Sequence, residues 1–78
     1  MKTSYWIEAL VPSQHREGLL VWLELGDEKP WQLNSAMAFR VCSLYKSLLS
    51  KVSGEVGIYD SLRAAEEEIE RLEKRVNA

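Results

Sequence analysis

"SAMAFRVCSLYKSLLSKVSG", residues 35–54, is the stretch on which the fold turns. At about 100° per residue, Met37, Ala38, Val41, Cys42, Leu44, Tyr45, Leu48, Leu49 and Val52 gather on a continuous arc of a little under half a circumference. Asn34 or Ser35 offers an N-cap oxygen, Leu33 can staple onto Ala38, and Gly54 stands where a left-handed C-cap would end the run. The pattern predicts a helix over 35–53 with that arc toward the core. Its other arc carries Ala36, Phe39, Arg40, Ser43, Lys46, Ser47, Ser50 and Lys51, a face with bases and no acid.

Upstream, "SYWIEALV" (4–11) and "LLVWLEL" (19–25) are rich in the β-branched and aromatic residues that suit a pleated surface. Pro12 and Gly18 bracket a polar loop between them, so the two segments read as a β-hairpin. Setting Val11 opposite Leu19 places Ala9 opposite Val21, Ile7 opposite Leu23 and Tyr5 opposite Leu25, an apolar face of eight residues. The second face then holds Trp6, Leu10, Leu20 and Trp22 together with Ser4, Glu8 and Glu24. "GDEKP" (26–30) has the composition of a turn, and "WQL" (31–33) either adds a third short strand or leads into the helix.

Downstream, Val56, Ile58 and Tyr59 favour a short strand over 55–59. Asp60 or Ser61 then caps a second helix over 61–76, supported by Glu67–Arg71 and Glu70–Lys74 pairs four residues apart. Leu62, Ala65, Ile69, Leu72 and Val76 form a narrow stripe on it. The stripe lasts barely two heptads, and a parallel homodimer would set Glu68 against Glu73, so it is expected to rest on its own domain. The expected architecture is a single α+β domain over residues 1–78, hairpin (two or three strands), helix, short strand, helix: ββ(β)αβα.

An apolar share of 46 %, a charged share of 28 % and a net charge of -2 argue for a folded chain. The charge is uneven: residues 1–33 carry -2, residues 34–53 carry +3 and residues 54–78 carry -3. The single Cys42 cannot form an internal disulfide, and the N-terminal apolar run is short and broken by Glu8, so a cytoplasmic protein without a membrane contact is expected.

Catalysis needs a nucleophile with a base, carboxylates in contrasting environments, or a metal cage. His15 sits in a polar loop, Cys42 falls on the apolar arc, and no glycine-rich phosphate loop, zinc spacing or calcium loop occurs. A non-enzymatic protein with no cofactor and no metal is expected. Contact surfaces are the alternative. The tryptophan face (Trp6, Leu10, Leu20, Trp22) and the acidic outer side of the second helix (Glu66, Glu67, Glu70) suit a protein partner. Phe39, Arg40, Lys46 and Lys51 on the basic arc suit nucleic acid or an acidic partner, a second reading that the acidic total disfavours. A homodimer within a larger assembly is the third. In size and in its lack of catalytic residues the chain is similar to the small proteins that phages and other mobile elements encode, which implies an inhibitor or adaptor occupying a surface of a larger protein.

Overall fold

The computed structural model describes residues 2–26 and 31–77. The turn expected at 27–30 lies outside them. Four strands, β1 (Lys2–Pro12), β2 (Leu20–Glu24), β3 (Ala38–Lys46) and β4 (Lys51–Tyr59), form one antiparallel sheet in the order β2-β1-β3-β4. Among the described residues a single α-helix, α1 (Leu62–Asn77), follows, and a 3-10 turn over Trp31–Ser35 lies between β2 and β3.

The helix expected over 35–53 is therefore replaced by a second hairpin, and the ββ(β)αβα order by ββββα. The reason is visible in the burial of β3: Phe39 and Val41 turn toward the helix, while Arg40 and Cys42 turn the other way, a period of two rather than 3.6. Phe, Val and Tyr lose side-chain freedom in a helix and suit a pleated surface, and Ser competes for backbone hydrogen bonds. Pairing with β3 also satisfies the edge of β1 that the two-strand hairpin would leave bare. "SLLS" (47–50) is the tip of the new hairpin, and Gly54 lies within β4 instead of capping a helix. Residues 31–33 form neither a third strand nor a lead into a helix: Leu33 and Ala36 pack against the core as the chain crosses from β2 to β3.

The first hairpin forms, with its register displaced by two residues: Val11 pairs with Val21 and Ala9 with Leu23. A shift of two preserves every side chain's face. Ile7, Ala9 and Val11 accordingly face the core with Phe39 and Val41. In the loop, Ser13 Oγ accepts hydrogen bonds from the His15 and Arg16 amides (3.1 and 3.2 Å), and Gly18, at φ 80°, takes the left-handed conformation that closes the turn.

Helix α1 begins where Ser61 Oγ accepts the Ala64 N–H at 3.1 Å. Ala65 is fully buried, and Leu62, Ile69 and Leu72 pack beside it on the sheet, so the apolar stripe is spent within the chain. A residue without a side-chain stem at 65 lets the helix approach β1 and β3 closely. Glu70 pairs with Lys74 as its spacing predicts (3.1 Å), but Arg71 takes Glu68 three residues back, and Glu67 pairs with Arg63 (3.1 Å).

Strand β4 carries a bulge: Val41 pairs with Gly57 and Cys42 with Glu55, leaving Val56 without a partner. The Tyr59 ring lies across Gly57, where an added Cβ would stand 2.7 Å from the Tyr59 oxygen and 3.1 Å from Cζ. Gly57→Ala should therefore cost roughly 1 kcal/mol through displacement of the ring, read as a lowered midpoint in urea; Gly54→Ala, with open space at the same distance, is the control and should not share that steric loss.

Candidate functional site

Helix and 3-10 turn cover one face of the sheet. The other face is built from the even-numbered residues of β1, β2 and β3, joined by Ile58, Glu55, Ser53 and Lys51 of β4. Trp6, Leu10, Leu20 and Trp22 all stand on it. Leu10 is the direct partner of Trp22, and Pro12 that of Leu20, which gathers one apolar corner. Leu20 and Ile58 are exposed, and Leu10, Trp6 and Trp22 are half-buried.

Trp6 stands apart from that corner, and the space between is filled by charge. Arg40 Nε and Nη2 reach Glu8 Oε1 at 2.6 and 2.5 Å, Arg40 Nη1 approaches Glu55 at 3.6 Å, and the Trp6 indole N–H donates to Glu8 Oε2 at 3.1 Å. The guanidinium also lies 4.3 Å from the centre of the Trp22 ring, within cation–π range. One arginine thus ties three strands and both indoles together: it is held by β1 and β4 while covering an aromatic of β2. Burial pulls the Glu8 carboxyl upward, but hydrogen bonds from Trp6 and Arg40 outweigh it and hold the group below the usual carboxylate range.

Cys42 pairs with Trp6 in the β1–β3 ladder and is buried on this same face, beneath an open hollow of about 250 Å³ lined by Trp6, Glu8, Arg40, Glu55 and Gly54. Burial, and next the Glu8 carboxylate, push the thiol up, which keeps it protonated and weakly nucleophilic. His15 is exposed in the first hairpin loop. Among the described residues no group of three His, Cys, Asp or Glu side chains is placed to hold a metal ion.

The remaining sequence-derived residues scatter. Glu66, Glu67 and Glu70 are exposed on α1, across the sheet from the tryptophans, so the two expected protein-binding surfaces lie on opposite sides of the molecule. Phe39 is buried at 7 % exposure in the core and not on a basic arc. Arg40 has its charge engaged by two carboxylates. Lys46 and Lys51 are exposed partners at the far end of β3 and β4. Sequence reasoning missed the central role of Glu8 and the contribution of Glu55 and Ile58. The signal for Glu8 was present, a carboxylate two residues from Trp6 on the same strand face; its arginine is 32 residues away and required the β1–β3 register.

These features define a small single-sheet α+β protein with one covered and one uncovered face. Comparison with family models, curated proteins and solved structures returns no match. No helix among the described residues is long and apolar enough to cross a membrane.

Proposed function

We propose that the chain is a non-enzymatic protein-binding module, an inhibitor or adaptor that works in the cytoplasm by laying the uncovered face of its sheet on a larger protein. The observation that carries this reading is the apolar corner of Leu10, Leu20 and Trp22, continued by Ile58 and Trp6 around the Arg40–Glu8 pair and left open to solvent. Tryptophan and arginine are the residues that most often dominate interface energies, and an apolar patch rimmed by polar groups is the usual mark of a contact surface. Arg40 is held by Glu8 before any partner arrives, so little side-chain entropy remains to be lost on docking.

The test compares the immobilised chain with Trp22→Ser and Leu20→Ser forms in extract of its native cell. A protein retained by the unsubstituted chain should be lost from both variants, each keeping its far-UV circular dichroism. Identical retention on all three would reject the face as the contact. Glu66, Glu67 and Glu70 stay exposed on the opposite side when the sheet is covered, Glu67 and Glu70 in ion pairs with Arg63 and Lys74 of the same helix, which leaves room for a second contact and suits an adaptor; replacing all three by Gln should leave the first capture intact.

A further inference from the structure

The β3–β4 hairpin ends in an arrangement that the uncovered face does not explain. Leu48 and Leu49 occupy its apex at 103 % and 98 % exposure, touching nothing. Val52, on the core side of the sheet by register with Tyr45, is also left exposed at 60 %, so the helix stops short of this end. Directly behind the apex, the register places Lys46 opposite Lys51, both exposed. Like charges set opposite one another destabilise a ladder, and none of the described carboxylates pairs with Lys46 or Lys51.

The turn's own backbone is provided for. Ser47 Oγ accepts the amides of Leu49 and Ser50 (3.3 and 3.1 Å) and lies 3.1 Å from Ser50 Oγ, while the Ser47 amide donates to the Ser50 carbonyl at 2.9 Å. Amides bonded internally cost less to remove from water. An apex of two leucines on a self-satisfied turn, backed by the ammonium groups of Lys46 and Lys51, matches the depth profile of a lipid leaflet: acyl chains first, headgroup phosphates behind.

We propose that this hairpin end docks on an anionic lipid surface, Leu48 and Leu49 entering the acyl boundary while Lys46 and Lys51 meet headgroup phosphates. The expectation of no membrane contact rested on the lack of an apolar span, which a dipping hairpin does not need. Nucleic acid would use the lysines equally well but admits leucines only by unstacking its bases, at a cost in stacking energy, and the apex therefore favours lipid.

Co-sedimentation with vesicles of phosphatidylcholine, alone or mixed with phosphatidylglycerol, tests this. The chain should pellet with the mixed vesicles and be released by salt. Leu48→Ser/Leu49→Ser should weaken binding at least tenfold, and Lys46→Gln/Lys51→Gln by roughly fivefold per charge removed, with circular dichroism unchanged because all four side chains are exposed. The proposal is overturned if the chain ignores mixed vesicles, if the serine form binds them equally, or if the chain instead binds duplex DNA with an affinity that the serine changes leave alone.

Discussion

Leu48→Asp and Leu49→Asp should leave the unfolding free energy within about 0.5 kcal/mol of that of the unsubstituted chain, whereas Val41→Asp should remove the cooperative transition altogether. All three residues belong to the same apolar arc when 35–53 is wound as a helix, and all three would then be costly. In the sheet, Val41 is fully buried between β1 and β4 and packed with Phe39 and Ala65, while the leucines stand free at a hairpin tip. An unpaired carboxylate at position 41 costs several kcal/mol, and a core of this size supplies about 3–5 kcal/mol in total. Urea titration followed by circular dichroism reads the difference. A loss of several kcal/mol at either leucine, or a normal transition in Val41→Asp, would refute the second hairpin.

Removing the central arginine should have the next largest effect: Arg40→Ala loses about 2 kcal/mol, because Glu8 keeps its burial and forfeits two charge-assisted hydrogen bonds. The Glu8 and Arg40 side chains are only 18 % and 27 % exposed, so solvent replaces those bonds poorly. The loss is pH-dependent. Burial raises the Glu8 carboxyl, but Trp6 and Arg40 together bring it below its ordinary 4.5. The unfolded chain therefore takes up this proton first as pH falls. The contribution of Glu8 is complete above about pH 4.5 and disappears as pH drops through the lower folded value. With Arg40 absent, burial is opposed mainly by the indole, and the acid-side decline attributable to Glu8 should shrink or reverse. Stability measured in urea across the acid range for both chains tests this; superimposable acid limbs would show that the pair contributes nothing.

The parts of the fold legible in the sequence were those whose periodicity had one reading. Residues 4–11 and 19–25 are too short for a helix and rich in β-branched and aromatic side chains, and the division of their side chains between faces survived a two-residue error in register because faces repeat every two residues. The C-terminal helix declared itself through its cap, its acid–base spacing and a stripe of small and branched apolar residues. Residues 37–52 had no such uniqueness. Nine apolar side chains in that span are dense enough to fill a helical arc, and the alternation of Phe39, Val41 and Ser43 against Arg40, Cys42 and Leu44 is hidden because Cys42 and Leu44 are themselves apolar. Gly54 supported the error, since a glycine after an apolar run ends a helix as readily as it sits in an edge strand.

The same distinction governs the candidate site. Trp6, Leu10, Leu20 and Trp22 share a face by local alternation alone, and that much could be read from the first 25 residues. The network that makes the face rigid depends on a pairing between β1 and β3 that no local pattern specifies. Arg40, placed by sequence on a basic helical arc, is in the structure the counter-charge of Glu8.

The unpartnered Val56 has a consequence for the protein at high concentration. An outer strand offers its amides and carbonyls as a template on which further chains can stack, the first step toward fibrils. The extra residue interrupts that row and sharpens the local coil of the ribbon. Restoring an uninterrupted row by deleting Val56 would turn a border that ends the sheet into one that invites its growth.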